Sequence, residues 1–520
     1  MTAPAQPGTP GHPSYYITTA IAYPNGRPHM GTAYEYVTTD VLARFKRLDG
    51  YDVRHLTGTD VHGIKMMQTA QREGMTPADF ATRNSDAFQR LQDALGVAYD
   101  RFIRTSDADH IEASQAIWRA MEANGDIYLG SYSGWYSVRD EAYYSDDETE
   151  VLSDGTRVAK PSGTEVTWTE EPSYFFRLSA YQDKLLALYS EHPDFIKPDF
   201  RRNEMIQFVK SGLRDLSISR STFDWGVPVP GDPAHVMYVW VDALTNYLTG
   251  VGYPDAESES FRRYWPADVH IIGKDITRFH TIYWPAFLMS AGIELPKRVF
   301  IHGFLYDRGR KLSKSEGGFI DPIDDFAHVY GLDQMRYFLC REFTYGQDGS
   351  YSHEAVVTRI NADLANELGN LAQRSLSMVA KNLDGVVPTP GEFTDDDRAL
   401  LGRLETLLPA VREHVDGQQI SFYLEELWSV LGETNRYFSA QEPWVLRRED
   451  PARMATVLSV TLEVVRVVAT LVQPVMPTAA GRLLAQLGLG EAVPFAALST
   501  PLVPGAALPA PTGVFPRLEP

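Results

Sequence analysis

Apolar positions change their period several times along the chain, and each change marks a candidate element. Residues 14–23 (Ser-Tyr-Tyr-Ile-Thr-Thr-Ala-Ile-Ala-Tyr) form a continuous β-branched and aromatic run, the pattern of a buried strand. Pro24-Asn25-Gly26 then supplies turn chemistry. Beyond it Val37, Val41, Phe45 and Leu48 recur at helical spacing, and Gly50 is placed to end that helix. Val53-Arg-His-Leu-Thr-Gly-Thr-Asp60 reads as a strand running into a loop. Strand, helix and strand in such close succession make a βαβ unit with a ligand-facing end.

This alternation breaks near residue 116. Tyr, Trp, Asp and Glu crowd the stretch 128–175, with turns at Asp154-Gly155 and Ser162-Gly163, so 116–232 reads as an inserted, partly β domain. The βα pattern then returns. Asp268-Val-His-Ile-Ile-Gly-Lys-Asp275 is a strand entering a polar turn, 276–291 is helical, and Arg298-Val-Phe-Ile-His-Gly303 is another strand. From about 355 the period is helical throughout. Ile360, Leu364, Leu368 and Leu371 mark one face, and a second apolar series over 453–472 stops at Pro474. The expected fold is α/β: a Rossmann-type parallel-sheet domain split by an insertion, followed by an α-helical bundle. The expected segments are a disordered tail (1–13), the two sheet halves (14–115 and 233–305), the insertion (116–232), a lysine-bearing loop region (306–354) and the helical domain (355–520). The Pro- and Ala-rich stretch after 500 is expected to pack irregularly or fray.

Composition narrows the picture. The chain has 520 residues, 44% hydrophobic and 22% charged, enough for two or three globular domains. No apolar run is read as long enough to span a membrane, and the N-terminus lacks signal- and transit-peptide features. Cys340 is the only cysteine, so an internal disulfide or a zinc site of several thiolates is excluded. A reducing cytoplasm fits this usage. The net charge of −20 argues against a general nucleic-acid binder. Local steering of a polyanion is left to Arg201/Arg202 and to Arg308, Arg310, Lys311 and Lys314, each of which reads equally as solvated surface.

Two short strings carry the candidate chemistry. In Tyr23-Pro-Asn-Gly-Arg-Pro-His29-Met-Gly31-Thr32 a histidine and a glycine open a helix directly after a strand. A helix N-terminus attracts phosphate, His29 can donate to a phosphate oxygen, and Gly31 lets a flat ring approach the backbone. In Lys311-Leu-Ser313-Lys314-Ser315 two ammonium groups can close over a triphosphate as charge develops. Each string alone has a bland alternative, a helix cap and a solvated loop respectively.

The pair resembles the two signature motifs of class I aminoacyl-tRNA synthetases. Four further strings narrow the resemblance to the methionyl-tRNA synthetase family: Thr18-Thr-Ala-Ile-Ala-Tyr-Pro-Asn-Gly, Tyr238-Val-Trp-Val-Asp-Ala243, Gly273-Lys-Asp-Ile-Thr-Arg-Phe-His280 and Asn370-Leu-Ala-Gln-Arg374. They follow the family's order and extend the resemblance from about residue 14 to beyond 480. It implies catalytic roles for His29, Thr32, Lys311 and Lys314. It implies ATP contacts by His29, Gly31, Gly273, Asp275, Lys311, Ser313, Lys314 and Ser315. Asp60 would take the methionine ammonium, and Ile21, Tyr23, Trp240, Ala243, Tyr247, Phe279 and His280 would wall the thioether. Asn370, Arg374 and Trp444 would read the anticodon, so that 355–520 is an anticodon-binding domain and 116–232 a connective domain. The implied activity is a methionine–tRNA ligase using ATP with Mg²⁺, L-methionine and tRNA(Met). It would be cytoplasmic and monomeric, with no membrane association and no structural zinc.

Four positions depart from the family's pattern. Thr32 stands for the second histidine of the first motif, Val61 for a frequent Glu, Leu312 for Met, and Gly317-Gly318 for Gly-Asn. Thr32, with Val61 and Gly318, motivates a competing expectation, a methionine- or tRNA-binding paralogue with charging impaired by the altered first motif. A third, a small-molecule nucleotidyl transferase, is opposed by Asn370, Arg374 and Trp444, which such an enzyme would not need.

Overall fold

A computed structural model describes residues 11–519 apart from 141, 308, 309 and 312–320; at 132, 142, 171, 307, 310 and 311 only the backbone is described. The chain divides into two units: Ser14–Pro28 with Arg54–Ile301, and the segments 11–13, His29–Val53 and His302–Pro520.

In the first unit, β1 (Ser14–Thr19), β2 (Asp52–Thr59) and β3 (Arg101–Arg104) belong to a six-stranded sheet. Its order is β3, β2, β1, Val269–Gly273, Val299–His302, Ile196–Lys197. β1 runs parallel to Val269–Gly273, with Ile17 opposite Val269, and β2 runs parallel to β3. The order departs in opposite directions on the two sides of β1, which makes its carboxyl end a topological switch point. β1 is shorter than the apolar run that announced it. The Ala20 N–H still donates to the Ile271 carbonyl at 2.9 Å, after which the chain keeps a single parallel bridge, from Ala22 to Thr59.

The expected boundary at 115/116 lies within the helix Ala108–Ala123, whose Ile117, Trp118 and Met121 are buried in the same core as Tyr16 and Leu56. The β part of the insertion begins at Ile127. There Ile127–Ser137 pairs antiparallel with Thr167–Phe176 in a four-stranded sheet. At Asp140, hydroxyls of Ser162, Thr164 and Tyr144 all donate to one carboxylate.

In the second unit, α1 (Met30–Leu48) ends as its glycine requires. The Gly50 and Tyr51 N–H groups donate to Arg47 and Lys46 carbonyls at 3.1 and 3.0 Å, and Gly50 has φ +90°. Sequence pattern groups α1 with the strands flanking it, but its side chains find their partners in this unit. Asp40 takes hydrogen bonds from the fully buried Arg336 and from Arg44, both at 2.7 Å, and Phe45 packs on Tyr423 and Phe495. Arg336 also donates to the carbonyls of Pro474 and Val475, so its buried charge is fully partnered. Of the stretch 1–13 expected as a disordered tail, His12 and Pro13 are placed, bonding Gly50 and Asp52; residues 1–10 lie outside the described residues.

The bundle contains Asn370–Asn382, Asp395–Asp416, Ile420–Ala440, Pro443–Glu449, Pro451–Val472 and Pro477–Gln486. Pro451–Val472 corrects the sequence expectation on spans: by length and composition it could cross a membrane. However, 83% of its most apolar window is buried, which makes it the central helix of the bundle core. Residues 501–519 pack irregularly, with Ala507 bridging Val386 and Phe515 buried.

Candidate active site

The expected methionine-pocket residues all belong to the first unit. Ile21 and Tyr23 flank Ala22, whose carbonyl accepts the Asp60 N–H at 2.9 Å, so the end of β1 lies beside the loop carrying Asp60. The Asp60 side chain is buried. Trp240, Ala243 and Tyr247 come from the helix Val239–Thr249. Phe279 and His280 come from Phe279–Tyr283, where the expected helix 276–291 widens into a π turn before the α-helix Trp284–Ala291. Such wide turns are frequent at functional sites because they re-aim consecutive side chains. Here the re-aiming stacks Phe279 flat on Trp240, at 3.8 Å and 7° between planes, with the His280 ring edge-on to Trp240 at 6.0 Å.

Two hydrogen bonds fix His280. Its Nδ1–H donates to the Ile276 carbonyl at 3.0 Å, which leaves Nε2 to accept the Tyr247 hydroxyl at 2.7 Å. Burial pushes the imidazole down to about 4, so it is neutral at physiological pH. The wall is therefore aromatic and uncharged, suited to a soft unbranched thioether. Tyr23 packs separately, against a small cluster of Met66, Ala70 and Phe80, and its hydroxyl accepts the Met66 N–H at 3.1 Å.

Gly273 ends the central strand Val269–Gly273, and Asp275 is exposed in the short turn Lys274–Ile276 that follows. Both sit at the carboxyl edge of the sheet beside β1.

In the second unit, His29 is the N-cap of α1. Its Nδ1 accepts the Gly31 N–H at 3.1 Å, which puts the ring proton on Nε2, the nitrogen a phosphate oxygen could use. A Cβ on Gly31 would press on the His29 ring at 3.0 Å, so this glycine also makes room for the cap. Thr32 is half-buried in the first turn. The backbone of Lys311 pairs with Tyr306 in a short antiparallel hairpin. Ser313, Lys314, Ser315, Leu312, Gly317 and Gly318 lie outside the described residues, as does Arg308. Arg201 and Arg202 each face a carboxylate of their own helix, Glu204 and Asp199.

Asn370 and Arg374 are exposed on one helix, and the Arg374 guanidinium lies 5.4 Å from the Trp444 ring centroid and 5.1 Å from that of Phe438. Trp444 is 38% exposed, immediately after Pro443 at the first position of Pro443–Glu449. Three residues of the first unit were missed from the sequence. Asp242 accepts from His62 at 2.6 Å and from His110 at 2.7 Å, and all three are buried. The available signal was an aspartate inside the apolar run of Val239–Thr249.

Comparison with known proteins decides the family. Residues 15–376 match the family model described as tRNA synthetases class I (M), and 387–519 match the anticodon binding domain of methionyl tRNA ligase. The chain belongs to the methionyl-tRNA synthetase family. It is 64% identical to the methionine–tRNA ligase of Mycobacterium bovis over 97% of this chain and 98% of that one. It is 62% identical to the Brucella suis enzyme over 97% and 98% of the two chains. Among solved structures, Mycobacterium tuberculosis methionyl-tRNA synthetase bound by methionyl-adenylate superposes with a TM-score of 0.94 at 64% identity, covering 97% of this chain and all of that one. The ligand-free form of that synthetase gives 0.89. For a methionyl-tRNA synthetase the order seen here is coherent: a switch-point sheet, an antiparallel insertion and a helical bundle. Among the described residues, no group of three or more His, Cys, Asp or Glu side chains is arranged to hold a metal.

Proposed function

We propose that the chain is an active methionine–tRNA ligase that joins L-methionine to ATP and then to tRNA(Met). The observation that carries this reading is the neutral aromatic cluster of Trp240, Phe279, Tyr247 and His280 in a chain whose 64%-identical relative was solved with methionyl-adenylate bound. Asp60 holds the α-ammonium, and the apolar wall takes the thioether. The methionine carboxylate, ionised at pH 7, attacks the α-phosphorus of ATP and pyrophosphate leaves, so no general base is needed. ATP enters as its Mg²⁺ complex, which screens the leaving group. Asp275 bonds the ribose hydroxyls, and Gly31 and Gly273 offer flat backbone to the nucleotide. His29, through Nε2–H, and Thr32 bond phosphate oxygens. Lys311, Ser313, Lys314 and Ser315 bind the triphosphate. In the second step a ribose hydroxyl of the tRNA's terminal adenosine attacks the adenylate carbonyl and AMP leaves.

Trp444 stacks an unstacked anticodon base while Asn370 and Arg374 bond base edges. The Arg374–Trp444 pair supports this role, because a guanidinium beside an exposed ring offers both stacking and hydrogen-bonding partners. The enzyme works as a cytoplasmic monomer without structural zinc. Incubation with methionine, ATP and tRNA(Met) tests the proposal: methionyl-tRNA should accumulate, and its absence in folded protein would refute it. The paralogue reading is favoured by Thr32, Val61 and Gly318. It requires methionine or tRNA binding without charging, and charging restored by Thr32→His.

A further inference from the structure

The loop after β2 is tethered at each residue from Asp60 to Gly63. Asp60 N–H donates to the Ala22 carbonyl at 2.9 Å and Val61 N–H to Thr105 Oγ1 at 2.9 Å. The Val61 carbonyl accepts Trp225 Nε1–H at 2.7 Å, and Gly63, at φ +104°, donates to the Trp225 carbonyl at 3.1 Å. The His62 tether reaches the helix Val239–Thr249, through Asp242 at 2.6 Å. The second oxygen of Asp242 is held by His110 Nε2 at 2.7 Å, from the helix Ala108–Ala123. His110 Nδ1 lies 3.1 Å from Thr249 Oγ1, at the far end of the helix that carries Asp242. Trp225 stands edge-on to His62 at 5.4 Å and closes the cluster.

Taken at its oxygens, Asp242 joins three elements: the loop with Asp60, the helix Ala108–Ala123, and the helix with Trp240 and Ala243. We propose that Asp242 is a positioning residue which, through His62 and His110, sets the Asp60 loop against the helix of Trp240 and so governs capture of the α-ammonium. Burial alone would push the Asp242 carboxyl up, but its interactions with His62 and His110 bring it below the usual carboxylate range, so the carboxylate is held ionised. A buried carboxylate at this position is costly unless both imidazoles donate to it, which accounts for three polar groups in an apolar core.

The inference rests on the methionine-pocket reading, and the experiment separates the two. Calorimetry on the full chain compares L-methionine with 4-(methylthio)butanoate, which keeps the thioether and carboxylate but lacks the ammonium. Wild type should bind methionine the more tightly; if it binds neither, the pocket reading itself falls. Asp242→Asn keeps one acceptor, and Asp242→Leu removes both. Methionine affinity should fall about tenfold or more in Asp242→Leu and by less in Asp242→Asn, while the analogue changes less than about twofold. Should Asp242→Leu fail to fold, Asp242→Asn and His62→Gln carry the same comparison. Unchanged methionine affinity in folded variants, or equal losses for both ligands, would overturn the proposal.

Discussion

At the residue scale, function turns on which groups are charged and which are held neutral. Asp60 is the one acid among the expected methionine contacts. Asp60→Asn should raise the methionine KM in pyrophosphate exchange by roughly 10- to 100-fold, the worth of a charge-assisted hydrogen bond, with the ATP KM little changed. His280 and His270 are kept neutral by burial, and both sit well below the ordinary histidine value of 6.5. The unfolded chain therefore takes up protons there before the folded one does. Their contribution to stability is complete above about pH 6.5 and is lost as pH falls, for His280 down to about 4. Denaturant unfolding at pH 7 and pH 5 should show this loss, and His280→Gln should reduce it. Asp60 and His280 could be named in advance because the strings that carry them are short and contiguous. The His62–Asp242–His110 cluster was not, because its members are spread over 180 residues and only folding brings them to one carboxylate.

At the element scale, backbone constraints that the sequence states openly were read well, and partner choice was not. Gly50 ends α1 by a local glycine rule, which needs no tertiary information. By contrast, α1 follows β1 in a βα pattern, yet Asp40 and Phe45 find Arg336, Tyr423 and Phe495, residues hundreds of positions away. The π turn at Phe279 was hidden inside a run of ordinary helical composition. Two substitutions test the elements. A Cβ on Gly58 in β2 would lie 2.1 Å from the Ile103 carbonyl oxygen of β3, so Gly58→Ala should destabilise the sheet by about 3 kcal/mol or more in thermal or urea unfolding. In the bundle, Asp397 completes the capping box of Asp395–Asp416 by accepting the Thr394 N–H, and is gripped by Arg453 and Tyr437, at 2.5 Å each. Although burial opposes ionisation, those bonds bring its carboxyl down to about 2. Its stabilisation is thus present above pH 3.8 and lost as pH falls toward 2; Asp397→Ala should cost about 3 kcal/mol at neutral pH.

At the scale of the whole molecule, two family matches divide the chain. Residues 15–376 carry the synthetase match and 387–519 the anticodon-domain match, so chemistry and tRNA selection are separable by mutation. Trp444→Ala should lower methionyl-tRNA formation about 10- to 100-fold while leaving tRNA-free adenylation unchanged, since loss of base stacking touches only the second substrate. The parallel sheet and the helical bundle were visible in the changes of apolar period, because sheet strands and bundle helices bury different periodicities. What the period concealed was the apolar strength of Pro451–Val472, a helix surrounded on nearly all sides by its own bundle.

The central claim, that this family member activates methionine despite Thr32 in its first motif, is tested most directly by methionine-dependent exchange of labelled pyrophosphate into ATP without tRNA. Robust exchange, saturating in methionine, is the predicted result. No exchange in folded protein that still binds methionine would contradict it and leave a binding paralogue in its place.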